Sequence, residues 1–334
     1  MEGDSTNLRA VILDSPKQLS SRLDFFNQLN LRRRQLDNIL ICGMGGSALV
    51  GDLLEYLKQK QFRPLTPTLP FQIHRAYDLP RDADERTLII LVSYSGETEE
   101  VLSSFRAAQK LKLEITGITC GGQLGDLFQE NNIPWIKIAK GLPPRYSLGS
   151  QLNGLVKILM AYGLLDSSAQ HALTPLSESL NPSQDENRAR LACVKLSHKI
   201  PVIYASTTNS AIARLWKINF NENTKIPAFY NVWPELNHNE LAGWTKNFGP
   251  FYFFLLRDTD DSPKIQKQLF LTSQILTSLS LPIEIVDLEG QDALEKFFKA
   301  ALLADWLSYH LALFYGLDPA LTPLIEDFKK RLRE

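Results

Sequence analysis

The chain has 334 residues, more than one ordinary hydrophobic core encloses, so two domains are expected. Its hydrophobic content of 44% and charged content of 22% are those of a soluble globular protein. With 36 basic against 37 acidic residues, the net charge of -1 argues against nucleic acid or an anionic membrane as the main partner.

The N-terminal MEGDSTNLRA has no apolar signal core, which predicts a cytoplasmic protein. Helical spacing over residues 15–36 predicts a leading helix, with Arg32-Arg33-Arg34 as a solvated helix end. An α/β block follows. Strands are expected at Asn38–Cys42, Phe71–Ala76, Thr87–Val92, Glu114–Thr119 and Pro134–Ile138, with helices at Ser47–Lys60 and Glu97–Leu111. Thr87-Leu-Ile-Ile-Leu-Val92 is apolar on both faces, as a central parallel strand should be. A further helix near 151–164 closes a first domain over residues 1–165. The polar segment 166–185, with Pro175 and Pro182, reads as a linker.

The second domain, 186–334, repeats the first in outline. Strands are expected at Lys199–Tyr204, Pro250–Leu256 and Pro282–Asp287, and helices at Ser210–Phe220 and Pro263–Leu279. Laying ICGMGGSALVGDLL (41–54) over YASTTNSAIARLWK (204–217) matches Ser47 with Ser210 and Ala48 with Ala211, so two copies of one fold are inferred. Phe297–Leu317 is strongly apolar but contains Lys299, Asp305 and His310, which favours a core or interface helix over a membrane span. Cys42, Cys120 and Cys193 read as small buried hydrophobes, and the five histidines lack metal-ligand spacing, so no metal is expected.

Two loops carry the chemistry. Gly43, Gly45 and Ala48 fit the dinucleotide spacing G-x-G-x-x-A, but the acid such a site needs about 20 residues on is missing from Arg63–Pro70. An NAD-dependent oxidoreductase therefore rests on the glycine spacing alone. Gly45, Gly46 and Ser47 instead run into a helix start, where free amides grip a phosphate or a sugar oxygen; the alternative is a tight turn without ligand. Ser93-Tyr-Ser-Gly-Glu-Thr98 places three hydroxyls, Ser93, Ser95 and Thr98, at the next helix start. Lacking a lysine, it suits one phosphate monoester; N-capping alone needs a single hydroxyl.

GMGGSA with SYSGET, Pro143-Pro-Arg-Tyr-Ser147, Asn221-Glu-Asn223 and Glu235-Leu-Asn-His-Asn-Glu-Leu-Ala-Gly-Trp244 together resemble the bifunctional phosphoglucose/phosphomannose isomerase family, over most of residues 38–330. The resemblance implies two tandem sugar isomerase (SIS) domains, each a doubly wound parallel sheet flanked by helices, and an aldose–ketose isomerase without cofactor. It implies that Gly45, Gly46 and Ser47 contact the sugar and that Ser93, Ser95 and Thr98 hold its phosphate. Arg145 would stabilise an enediolate, Glu222 would move the proton, and His238 would open the ring from the partner subunit of a homodimer. Ser308 falls where a small hydroxyl residue leaves room for both glucose and mannose epimers. Tyr315 stands where the family presents a lysine, and tyrosine brings no positive charge at neutral pH. Weaker turnover, a changed substrate and binding without turnover are the alternatives this opens, the last being a sugar-phosphate sensor. The chemistry asks for these residue types independently: a carboxylate for proton transfer, a fixed cation for the oxyanion, and a histidine titrating near neutrality.

Overall fold

Helix α1 (Leu8–Asp14) opens the chain and is followed by a 3-10 turn at Ser15–Leu19 and a two-residue strand, β1 (Phe25–Phe26). The 3-10 turn and β1 stand where a helix over 15–36 is expected, in the part of that stretch the structure describes. Pro16 enters at the head of the 3-10 turn, where its lack of an N–H is tolerated, and Phe26 then packs on Trp135 with ring centroids 5.1 Å apart. The computed structural model describes residues 3–28 and 35–333, so the Arg32–Arg34 run lies outside the described residues. The chain divides into two units: Asp14–Ser179, here the N-terminal unit, and the C-terminal unit, formed by the residues before Asp14 with those from Leu180 onward.

The N-terminal unit continues with β2 (Asn38–Gly43), α2 (Gly45–Gln59), β3 (Phe71–His74), β4 (Thr87–Val92), α3 (Glu99–Lys110), β5 (Glu114–Thr119), α4 (Gly122–Glu130), β6 (Trp135–Lys137), α5 (Leu148–Ala161) and α6 (Ser168–Ser179). Its sheet runs β1-β6-β5-β4-β2-β3. Strands β2 to β6 are parallel, and β1 adds an antiparallel edge. Every residue of β4 is buried, which is why its sequence shows no alternation. Helix α3 lays Val101, Leu102, Phe105 and Ala108 over Leu40, Ile89 and Leu91 at helical spacing. Each large side chain so enclosed contributes about 1.5–3 kcal/mol relative to exposure.

Helix α6 occupies much of the stretch expected to be a linker. Ala169, Leu173 and Leu176 form a buried stripe one helical turn apart, and this stripe outweighs Pro175 inside the helix.

The C-terminal unit contains α7 (Glu186–Leu196), β7 (Ile200–Ser206), α8 (Ser210–Asn219), β8 (Phe229–Trp233), β9 (Phe251–Arg257), α9 (Pro263–Ser278), β10 (Ile283–Asp287), α10 (Ala293–Phe314) and α11 (Pro323–Arg333). Its sheet, β10-β9-β7-β8, is parallel throughout. Helix α1 joins this unit, with Arg9 gripping both carboxylate oxygens of Glu186 at 2.7 and 2.8 Å. The apolar Phe297–Leu317 run is largely the core helix α10. There Lys299 pairs with Glu295, Asp305 accepts from Asn219, and His310 stacks on Trp306. Among the described residues no helix is long and apolar enough to cross a membrane.

Burial holds the His310 imidazole below its ordinary 6.5, outweighing Glu186, while Arg190 and Arg9 push the same way as burial. The unfolded chain therefore binds a proton there more readily. The stability due to a neutral His310 is complete above that value and is lost as the pH falls beneath it. Denaturant midpoints from about pH 7.5 to 5.5 should fall less steeply for His310→Gln than for the native chain, and equal slopes would contradict this.

Candidate active site

In the N-terminal unit the chain runs from β2 outward to β3, then returns to the other side of β2 at β4. The loops after β2 and β4 therefore flank a topological switch point, the place at the carboxyl ends where open α/β sheets bind ligands. Gly43 pairs with Val92, so GMGGSA and SYSGET leave the sheet at one level. Ser47 Oγ accepts the Tyr94 N–H at 3.0 Å and ties the two loops together.

Within the second loop Ser93 Oγ and Thr98 Oγ1 lie 2.8 Å apart. Ser93 Oγ also accepts from the Gly96 N–H, and Ser95 Oγ from that of Glu97, each at 3.1 Å. Thr98 occupies the N-cap of α3, yet its side chain makes no capping bond, so capping does not account for this hydroxyl. Gly96 has φ +73°, and a Cβ there would sit 1.8 Å from the Gly121 carbonyl oxygen, so only glycine lets this loop close on the next one. The result is a set of neutral donors at a helix start, suited to one anion.

Arg145 is buried in a 3-10 turn, Pro144–Tyr146. Its backbone packs on the first loop so closely that a Cβ on Gly46 would meet the Arg145 nitrogen at 2.7 Å. Tyr94, which the sequence reading passed over, holds the approach to this turn. Its hydroxyl donates to the Ala139 carbonyl at 3.0 Å and accepts the Leu142 N–H at 2.8 Å. Burial pushes its phenol pKa up, which preserves the donating proton. The N-terminal unit thus brings Gly45, Gly46, Ser47, Ser93, Ser95, Thr98 and Arg145 into one connected set of loops.

In the C-terminal unit α8 runs into a π-helical turn, Phe220–Thr224, which carries the half-buried Glu222. Single π turns concentrate at functional sites. Ser308, fully buried on α10, accepts from Asn223 Nδ2 at 2.7 Å, so Glu222 and Ser308 are neighbours through Asn223. Tyr315 caps the end of α10, and its hydroxyl accepts the His198 N–H at 2.7 Å. That contact gives Tyr315 a place in the packing of the loop before β7.

His238 ends a 3-10 turn, Glu235–His238, with its side chain exposed. The motif around it is mostly anchorage. Tyr204 donates to Glu240 at 2.6 Å, Trp244 Nε1 donates to Tyr204 at 2.8 Å, and Asn231 Nδ2 donates to the other Glu240 oxygen. Asn237 bonds Gln268 and Thr272 on α9. Burial, reinforced by Glu240, raises the Tyr204 phenol so that it stays a donor. Only the conjunction of motif and fold shows this role for Tyr204, which sits inside an apolar strand.

The C-terminal unit has its own switch point between β7 and β9, differently furnished. Asp261 there accepts from Ser206 Oγ at 2.8 Å and from Asn209 Nδ2 at 3.3 Å. Lys296 bonds Asp258 at 2.8 Å and Asp260 at 2.5 Å; burial pulls its ammonium down, but these carboxylates outweigh that and raise it. The donors of this crevice already serve the protein's own carboxylates, so an incoming phosphate would meet like charge.

Two α/β units built on mainly parallel sheets, one with a hydroxyl-rich loop at its switch point, define a protein of the tandem SIS class. Residues 185–332 match the model of the bacterial phospho-glucose isomerase C-terminal SIS domain. The bifunctional phosphoglucose/phosphomannose isomerase of Caldicellulosiruptor bescii is 31% identical over 97% of this chain and 98% of its own. That of Thermoplasma volcanium is 34% identical over 89% of this chain and 91% of its own. Among solved structures, the C-terminal domain of glucosamine-fructose-6-phosphate aminotransferase from Francisella tularensis superposes with a TM-score of 0.70 at 17% identity, covering 94% of this chain and 98% of that one. The chain belongs to the bifunctional phosphoglucose/phosphomannose isomerase family.

Gly46→Ala tests the junction of the two loops. The added methyl must displace the Arg145 turn, so kcat/KM for phosphosugar isomerisation should fall at least about tenfold while the chain still folds. An unchanged kcat/KM would show that the close approach has no bearing on the site.

Proposed function

We propose that this chain interconverts glucose 6-phosphate, and with it mannose 6-phosphate, with fructose 6-phosphate by proton transfer through an enediolate. The observation that carries the reading is the seat formed by Ser93, Ser95 and Thr98, fastened through Ser47 to the loop on which Arg145 packs. The named relatives support the same reaction class.

The phosphate rests on the hydroxyls and the first amides of α3, while Gly45, Gly46 and Ser47 face the sugar. His238 opens the ring by moving a proton between the ring oxygen and the C1 hydroxyl. In the open aldose Glu222 takes the proton from C2. The C2–H pair becomes the C1=C2 bond and the carbonyl pair moves onto O1, whose charge Arg145 offsets. O1 then gains a proton, O2 loses one as C2=O2 forms, and Glu222 returns its proton to C1. The small side chain of Ser308 beside this turn leaves space for either configuration at C2. Two chains form a homodimer in which His238 serves the partner's substrate, and its exposure on a rigidly anchored loop supports that assignment.

Glu222→Gln should abolish both turnover and uptake of solvent deuterium at C1 and C2, while binding of fructose 6-phosphate persists; full turnover in the variant would remove Glu222 as the base. Binding without deuterium uptake in the native chain would instead identify a sensor. Mixing Glu222→Gln with His238→Ala chains should restore about a quarter of native activity, because each mixed dimer assembles one intact site. No recovery after confirmed subunit exchange would contradict the shared arrangement.

A further inference from the structure

The π turn that carries Glu222 is fastened to α10 at one residue. Asn223 and Thr224 are both fully buried. Asn223 Nδ2 donates to Ser308 Oγ at 2.7 Å, and Thr224 Oγ1 donates to the Ser308 carbonyl at 3.0 Å. Ser308 Oγ has one proton, and it points back along its own helix to the Ala304 carbonyl at 2.7 Å and the Asp305 carbonyl at 3.2 Å. With its proton directed to its own helix, the hydroxyl presents a lone pair to the Asn223 Nδ2 donor. One turn earlier on α10, Asp305 accepts from Asn219 Nδ2 at 2.7 Å, so both ends of the segment are held to the same helix. Lys225, at φ +57°, closes the turn and donates to the Asn223 carbonyl at 2.8 Å.

A π turn inserts an extra residue into the helical ladder and aims the side chains of that residue's neighbourhood differently from a continuous α-helix. Buried side-chain bonds of this kind specify one arrangement over its alternatives, since breaking any of them strands a polar group away from water. Glu222 immediately precedes Asn223, so where Asn223 is fixed, the backbone from which the Glu222 side chain departs is fixed with it.

We propose that Ser308, acting through Asn223, is a positioning residue for the Glu222 carboxylate, so that the small hydroxyl on α10 sets the proton-transfer geometry. This rests on the reading of Glu222 as the base. The role differs from mere provision of space beside the substrate, because space is kept by alanine whereas the lone pair is not. A misplacement of a catalytic group by about 1 Å costs on the order of a hundredfold in rate.

The test compares Ser308→Ala, Ser308→Thr, Asn223→Ala and the double variant Ser308→Ala/Asn223→Ala, with thermal midpoints to confirm folding. Ser308→Ala and Asn223→Ala should each lower kcat between about 10- and 100-fold with KM within about twofold, since phosphate and sugar contacts are untouched. The double variant should be no worse than either single one, as the two residues act through one bond. Ser308→Thr, which keeps the hydroxyl, should retain kcat within about threefold. Native kcat in Ser308→Ala, a loss confined to KM, or multiplying losses in the double variant would each overturn the proposal. Should one alanine variant fail to fold, the other with Ser308→Thr still decides it. If Glu222→Gln is inactive while Ser308→Ala keeps kcat, the positioning role alone fails; if Glu222→Gln keeps full turnover, the base assignment fails first.

Discussion

The hydrogen bond from the Tyr94 amide to Ser47 Oγ is the contact on which the N-terminal site depends. It joins two loops that leave adjacent parallel strands and would otherwise diverge. The same tyrosine holds the chain on the way to Arg145 by its hydroxyl, and Gly46 admits the Arg145 backbone by having no side chain. Ser47 and Gly46 on one loop and Tyr94 on the other thus coordinate three segments far apart in sequence. A parallel sheet makes this economical, since the rigid strand ends supply the positions and the loops need only short bonds between them.

The two units show how one topology is put to different uses. Both have a switch point flanked by small and hydroxyl residues after the first strand. In the N-terminal unit the second loop offers Ser93, Ser95 and Thr98; in the C-terminal unit the corresponding loop offers Asp258, Asp260 and Asp261. Asp261 takes the donors of Ser206 and Asn209, and Lys296 neutralises its neighbours. Where the N-terminal unit has a hydroxyl loop, the C-terminal unit has a self-contained ionic cluster. The residues to which the proposed reaction assigns proton transfer in the C-terminal unit, Glu222 and His238, lie elsewhere, on a π turn braced by α10 and on a loop braced by Glu240, Tyr204 and Trp244.

Much of this was legible in the sequence for identifiable reasons. Fully buried strands such as Thr87–Val92 announce themselves as unbroken apolar runs, and glycine followed by hydroxyls marks a strand-to-helix turn that must approach a ligand or another backbone. The described part of the 15–36 stretch is not the helix its spacing suggests, and the 166–185 segment, within which the two units divide, carries α6, because tertiary packing outweighs local spacing and polarity. Phe26 is drawn to Trp135, and a sparse stripe of Ala169, Leu173 and Leu176 suffices to bury a helix. The anchoring roles of Tyr94, Tyr204 and Asn223 are not legible in the sequence, because anchoring residues share the composition of the core or the loop around them. Their roles exist only once partners 36 to 85 positions away are in place. Tyr315 drew attention as a departure from the family pattern, whereas its hydroxyl serves the His198 backbone.

The central claim is that one phosphate is seated on the neutral hydroxyl loop of the N-terminal unit, and that the charged switch point of the C-terminal unit takes none. A crystal structure with fructose 6-phosphate bound tests this most directly. The account predicts phosphate oxygens within hydrogen-bonding distance of the Ser93, Ser95 and Thr98 hydroxyls, with Asp261 still bonded to Ser206 and Asn209. Phosphate density displacing Asp261, or lying away from the Ser93–Thr98 loop, would contradict it.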